Sequence, residues 1–330
     1  MKPATFRLRT RSTIRKFVVA MCLASLLEPA IAEEKKVVVS EAFQALHYLP
    51  LYVAINKGFF TEQGLSVTKL MTGTPSNALS AVISGSADFA IVGPEWAAVA
   101  AEKGAAVEVV SNLANGAGAW VATSADFEYD GPKSLKDQRV VTGMMPTTST
   151  SLFIKMLREN GMQPSDVHML QVPIGSEIGP MLAAQVKVGV FYEPGLEQVV
   201  AGGQKVVVSF AKLNKEYLFA AVTARKNVDP EVGRRFVAGM QKAFLYMAAS
   251  PQEVKLLARK EFPTISPEIV DAAISRMLAD GVFSKSVAIS HDSLRSAMQT
   301  QIDLGNLKQQ PVYDALIDHR FIDAAVKEVH

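Results

Sequence analysis

The chain has 330 residues, 49% of them hydrophobic and 20% charged, enough for about two domains and a sizeable core. Its formal charge of +2 hides an uneven distribution: six basic groups (Lys2, Arg7, Arg9, Arg11, Arg15, Lys16) and one acid, Glu28, fall in the first 32 residues, and the remaining 28 basic and 31 acidic residues carry −3. With no clustered basic excess after Lys16, the chain lacks the electrostatic footprint of a nucleic-acid binder.

Residues 1–32 run from that basic stretch through an apolar run, Phe17 to Leu27, to Glu28, Pro29, Ala30, Ile31 and Ala32, with small residues at the two positions a signal peptidase reads. The layout predicts a cleavable secretory leader ending at Ala32 and an exported mature chain. An uncleaved anchor is disfavoured, because a run of this length makes a helix of about 16 Å against a hydrocarbon core of about 30 Å. Cys22, the one cysteine, follows Met21, which is bulkier than the residue a lipoprotein leader places there, so lipid anchoring at Cys22 is disfavoured. A mature chain without cysteine has no disulfide, thiol nucleophile or thiolate metal site.

After Lys36 short β-rich runs alternate with helical segments. Val37–Ser40 reads as a strand, Leu51–Lys57 as a helix, Leu65–Leu70 as a strand, Ala78–Ser84 as a helix, Phe89–Val92 as a strand, Glu95–Lys103 as a helix and Val107–Asn112 as a strand. The rhythm restarts near Lys133 with strand Val140–Gly143, helix Ser149–Asn160, strand Val167–Val172, helix Glu177–Ala184, strand Val188–Phe191, helix Glu193–Ala201 and strand Val206–Ser209. Such alternation implies βαβ units and a mostly parallel sheet in each of two α/β lobes. The last third reads as helical: Pro230–Ala249 carries Val232, Phe236, Met240, Ala243, Phe244 and Met247 at helical spacing. Ser250-Pro251 with Glu253 opens a further helix as a capping box, Ser266-Pro267 with Glu268 begins another, Gly281 stops the last of these, and another helix starts near Ser290.

The segments Gly85–Pro94 and Ala184–Glu193 echo each other as a helix-to-strand turn, a strand and a loop opening the next helix. Each therefore brings a strand's carboxyl end to a helix N-terminus, where open parallel sheets bind small ligands, and two such edges facing one another would make a cleft. The second copy has Gln185, Val186 and Lys187 where the first has Gly85 to Asp88, as though one residue were deleted, which puts the geometry around Glu193 in doubt.

The string LYVAINKGFFTEQGLSV, Leu51 to Val67, is by itself a short helix ending at Gly58, an aromatic pair Phe59 and Phe60 under the sheet, a turn at Gly64 and a strand. Together with ALSAVISGSADFAIVG from Ala78, KSLKDQRVVTG from Lys133 and FYEPG from Phe191, it closely resembles the periplasmic substrate-binding proteins of nitrate, sulfonate, taurine and thiamine-pyrimidine ABC importers. The resemblance covers most of Val37 to about Lys226. It implies a type II binding-protein fold: two doubly wound α/β lobes joined by two crossover strands, with a helical C-terminal tail. The expected boundaries are lobe one over 33–124 plus 218–330 and lobe two over 125–217, with crossovers near Ala122–Asp126 and Tyr217–Thr223.

In such proteins the ligand touches loops at strand ends. The matching positions here are Gln44, His47 and Tyr48 after the first strand, Thr74, Ser76 and Asn77 entering the second helix, Glu95 and Trp96 after the third strand, Thr148, Ser149 and Thr150 at the helix opening in lobe two, and Glu193 beyond Phe191. Plainer roles compete with these: the hydroxyls as N-caps, the glutamates as first-turn acids favoured by the helix dipole, His47 as a satisfied loop histidine, and Trp96 as core. Trp120, after Gly116 and Gly118, is placed in the cleft rather than beneath the hinge.

No HExxH, GxSxG or phosphate-loop motif occurs, and the histidines are scattered. Capture is therefore favoured over catalysis, with a pyrimidine-synthase-like enzyme on the same fold and a ligand carrier for a sensor protein as competing readings. No cofactor or metal is implied, and a monomer is expected to serve an ABC permease with its ATPase. The candidate loops contain Glu95 and Glu193 but no Lys or Arg, which favours a neutral or amine-bearing organic ligand over an inorganic anion unless a cation such as Arg225 reaches the cleft.

Overall fold

The structure, a computed structural model, describes Met1, Pro3, Ala4 and residues 34–329. The apolar run of the expected leader, Cys22 and the Ala32 cleavage position lie outside the described residues. In chain order the strands are β1 (Lys35–Glu41), β2 (Leu65–Met71), β3 (Phe89–Val92), β4 (Val107–Ala114), β5 (Trp120–Thr123), β6 (Arg139–Gly143), β7 (His168–Val172), β8 (Val188–Phe191), β9 (Lys205–Ser209) and β10 (Ala220–Arg225). The helices are α1 (Leu49–Asn56), α2 (Pro75–Ser84), α3 (Pro94–Glu102), α4 (Thr148–Glu159), α5 (Ile178–Leu182), α6 (Gly195–Ala201) and α7 (Phe210–Leu213). The last third adds α8 (Pro230–Ala249), α9 (Pro251–Glu261), α10 (Pro267–Ala279), α11 (His291–Asp303), α12 (Tyr313–Leu316) and α13 (His319–Glu328).

These strands form two five-stranded sheets on one plan, β2-β1-β3-β10-β4 and β7-β6-β8-β5-β9. In each, the first three strands are parallel and the remaining pairings antiparallel. The expectation of mostly parallel sheets thus holds for only half of the pairings. The reason is topological: β5 enters the second sheet from the first and β10 enters the first from the second, so each slots in antiparallel between its sheet's third and fourth strands. The chain leaves the first sheet between Ala114 and Trp120, upstream of the crossover expected near Ala122–Asp126, because Trp120, Val121, Ala122 and Thr123 are all buried in the second sheet's ladder. It returns after α7 through an extended segment into β10.

The turns show local departures. Ser266 accepts from the Ile269 N–H at 3.4 Å, as a capping residue should. Ser250 caps nothing with its side chain, because α9 follows α8 directly and Glu253 instead accepts from the Tyr246 hydroxyl. The α12–α13 pair was not anticipated; Asp318 caps α13, whose buried face is Phe321, Ile322 and Ala325. The apparent deletion before β8 is absent. Ala184 occupies the left-handed region (φ +53°) as Gly85 does (φ +85°), and each stands four residues before its strand.

Core aromatics tie α8 to the first sheet: Phe236 stacks on Phe60 at 4.7 Å and on Phe89 at 4.1 Å. Met240 and Met247 are buried, as their spacing predicts. Gly239 allows this approach, since a Cβ there would lie 2.6 Å from the Phe60 ring. Gly239→Ala should therefore lose more to overpacking, about 1–3 kcal/mol, than the roughly 1 kcal/mol that alanine gains in a helix. A lowered thermal midpoint is the expected result, and an unchanged one would mean that Phe60 yields freely.

The tail is not confined to the first sheet. Helix α10 packs against α6 and α11 against α4, and the Asn115 and Gly116 N–H groups both donate to the Val282 carbonyl at 3.0 and 3.1 Å.

Candidate functional site

The carboxyl ends of β1, β3, β6, β7 and β8 converge, and the loops leaving them enclose three adjoining cavities. The innermost, about 30 Å³, is walled by Phe43, His47, Tyr48, Trp96, Tyr192 and Phe219, with Glu95 and Thr148 at its polar side. A second, half-open chamber of about 220 Å³, termed the rear chamber, shares Phe43, Ile174 and Tyr192 with it and adds Glu177, Glu193, Gln198 and Thr264. A mouth of about 360 Å³ shares Trp96 and Thr147 and opens between Thr74–Ser76 and Met144–Pro146. The aromatic wall is continuous, with ring centroids of His47 and Tyr48 4.4 Å apart, His47 and Tyr192 5.3 Å, and Phe43 and Tyr192 stacked at 6.0 Å.

Glu95 stands in the first turn of α3, folded back over Gly93, where any Cβ would come within 2.3 Å of both carboxylate oxygens. The Thr148 hydroxyl, from the other sheet's α4, donates to its Oε1 at 2.8 Å, while its buried Oε2 has no hydrogen-bond partner among the described residues. Burial raises its pKa against the lowering effect of Thr148. His47, buried with Nδ1 unpartnered, is driven down to about 3 by desolvation and is neutral. Tyr192 accepts from the Ser149 N–H at 2.9 Å and so satisfies a free amide at the start of α4.

Two further carboxylates face the rear chamber. Glu177 accepts from the Gly175 N–H at 2.6 Å, and burial pushes it up to about 7. Glu193 accepts from the Glu197 N–H at 3.1 Å, and its Oε1 lies 3.4 Å from Arg276 Nε without a hydrogen bond. Arg276 is drawn instead to Glu197, to which its Nε donates at 2.8 Å. Burial therefore outweighs the arginine, and Glu193 is pushed up to about 8.

The elements of the two sheets touch across this cleft. Besides Thr148–Glu95, the Leu46 N–H donates to the Glu193 carbonyl at 3.3 Å, and Arg276 of α10 reaches Glu197 of α6. A family model described as NMT1/THI5 like matches residues 46–254. The chain belongs to the NMT1/THI5-like family. The Bacillus subtilis (strain 168) protein YtlA, a candidate binding protein, is 23% identical over 315 residues, 89% of this chain and 90% of its own. The aliphatic sulphonate-binding protein SsuA of Escherichia coli superposes with a TM-score of 0.72 at 12% identity, covering 86% of this chain and 92% of its own. The desulfurization enzyme DszB does so with 0.68 at 12%, covering 89% and 99%. The fold is that of the type II periplasmic binding proteins, as the resemblance implied.

In this NMT1/THI5-like protein the structure brings together His47, Tyr48, Glu95, Trp96 and Thr148 around the inner cavity, Thr74 and Ser76 at the mouth, and Gln44 and Glu193 at the rear. Several serve plainer ends as well. Thr74 caps α2 by accepting from the Asn77 N–H at 3.2 Å, and Gln44 donates to the Glu261 carbonyl at 2.7 Å. Asn77 turns away to the Thr72 carbonyl, Ser149 contributes its backbone amide, and Thr150 donates to the Gly143 carbonyl at 2.7 Å; none of the three lines a chamber. Arg225 donates to the carbonyls of Val82 and Ala87, at the end of β10 remote from the cleft.

Trp120 is a correction. It is fully buried in β5, and its indole N–H donates to Asp280 at 2.8 Å, where Ser209 also donates at 2.7 Å. Burial opposes the charge on Asp280, but these donors and Lys212 hold its carboxyl below the usual range. Trp120→Phe should cost about 1.5–3 kcal/mol, the worth of a hydrogen bond to a charged group, seen as a lower urea midpoint. A loss within about 0.5 kcal/mol, the span of ordinary surface substitutions, would show that Ser209 and Lys212 suffice.

Sequence reasoning missed Phe43, Glu177, Tyr192 and the Met144–Met145 pair. Glu177 could have been found by the rule that marked Glu95: an acid entering a helix after a strand's carboxyl end.

Proposed function

We propose that the chain is an extracytoplasmic solute-binding protein that captures one small organic molecule between two lobes and delivers it to an ABC-type importer. In this reading the lobes hinge at residues 115–119 and 214–219 and close on the ligand, whose preference for the closed state drives the motion. The observation that carries it is the cleft itself: buried, unpartnered polar atoms of Glu95 and His47 within an aromatic wall built from both sheets, bridged by Thr148. A neutral or amine-bearing ligand fits, since no lysine or arginine lines the three chambers among the described residues. Likeness to YtlA and SsuA supports capture, and localisation in the periplasm follows from the expected leader.

The test is a thermal-shift and calorimetric screen of mature protein against amines, pyrimidines, flavins, aromatic acids, taurine, other sulfonates and nitrate. One-to-one binding without turnover is expected. The DszB likeness favours a second reading, an enzyme on this fold with His47 in the cleft; conversion of any ligand at substoichiometric protein would establish it and overturn capture.

A further inference from the structure

The carboxylates of the cleft are arranged in two groups with aromatic rings between them. Glu95 belongs to the inner cavity, Glu177 and Glu193 to the rear chamber, and Phe43 and Tyr192 form walls of both. All three are more than nine-tenths buried, at 7%, 4% and 1% exposure. Each has capacity left for a donor: among the described residues Glu95 Oε2 and Glu193 Oε1 have no hydrogen-bond partner, and Glu177 accepts one bond, from Gly175. The nearest cation, Arg276, stands beside Glu193 and is engaged by Glu197, which adds a fourth acid. Arg276 thus answers Glu197 and borders Glu193, no salt bridge reaches Glu95 or Glu177 among the described residues, and a buried acceptor without a donor is costly enough that the occupant must supply what the protein lacks.

We propose that the ligand is an elongated organic cation with two separated N–H-bearing groups, one held by Glu95 and the other by Glu177 and Glu193. The segment joining the two ends lies along Phe43 and Tyr192, where methylene groups are buried and a nearby positive charge faces the rings. An anion would find no lysine or arginine in either chamber among the described residues, and a compact monoamine would leave one group of acids unanswered. Glu177 and Glu193 then set length specificity together, because both belong to the rear group alone.

This inference rests on the capture reading, and the experiment separates the two. Mature protein is titrated calorimetrically with linear α,ω-diamines of increasing length, with the monoamine of each length, and with taurine as a zwitterionic control. One diamine length should bind at least tenfold more tightly than its monoamine. Glu177→Gln should cut that advantage severalfold, leaving Glu193 alone at the rear end, and Glu95→Gln should weaken the diamine. Circular dichroism and thermal midpoints confirm that each variant is folded. Equal affinity for diamine and monoamine, or a diamine advantage undiminished by Glu177→Gln, overturns the two-ended ligand. If some other compound of the wider screen binds one-to-one without dependence on Glu177, capture stands and this inference alone falls; if none binds, both fall.

Discussion

Glu95→Gln is expected to weaken binding of an amine-bearing ligand by roughly 10–100-fold while leaving the fold intact. The amide oxygen can still accept from the Thr148 hydroxyl, so the bridge between the sheets survives and the negative charge alone is lost. A hydrogen bond to a charged group is worth about 1.5–3 kcal/mol, and each ~1.4 kcal/mol is a factor of ten in affinity. A second variant reaches the same atom without touching it. In Gly93→Ala the new Cβ would fall 2.3 Å from both Glu95 oxygens, and since Gly93 has an ordinary φ of −62° the substitution strains no backbone. The carboxylate must swing aside, so affinity should drop comparably with little change in thermal midpoint. Calorimetry on both variants decides the matter: unchanged affinity in either would remove Glu95 from the ligand's contacts.

The βα rhythm was legible because strands covered on both faces read as unbroken apolar runs, as Phe89–Val92 and Val188–Phe191 do, all of them buried. The loops of the candidate site were legible for a related reason, since ligands bind where such strands end at helix N-termini. The antiparallel role of β5 was not, because a short apolar run carries no mark of the sheet it joins. Trp120 shows the same limit: the partner that makes it structural, Asp280, is 160 residues away. Within the loops, residue type could not separate Thr148, which reaches Glu95 across the cleft, from Thr150 two positions on, which is spent on the carbonyl of Gly143. Helical phase divides them, and phase depends on where α4 begins. Glu177, legible only as the first residue of a helix, is set apart by its burial, which residue type does not reveal.

That burial predicts an unusual pH dependence of stability. A carboxyl held at about 8 (Glu193) or about 7 (Glu177) when folded, against an ordinary value of 4.5, keeps its proton in the folded chain over a range where the unfolded chain has released it. The folded state then binds more protons, so stability falls as pH rises, from 4.5 up to each folded value. Glu108, pushed up to about 7 by burial and by Asp318, acts in the same sense. His47 acts oppositely, since its folded value of about 3 lies below 6.5: its contribution is full above 6.5 and is lost as pH falls toward 3. Surface pairs such as Glu231 with Arg234 and Arg235 matter only in acid, as Glu231 titrates down to about 2. Between pH 6.5 and 8 the histidine is therefore silent and Glu193 dominates, at about 1.4 kcal/mol per pH unit. Unliganded mature protein should lose about 2–3 kcal/mol of unfolding free energy from pH 6.5 to 8.5, read from urea midpoints. Glu193→Gln retains an oxygen for the Glu197 N–H and should flatten most of that slope, leaving the variant more stable than the parent at pH 8.5. A parent profile that is level or rising over this interval would mean that Arg276 holds Glu193 ionised.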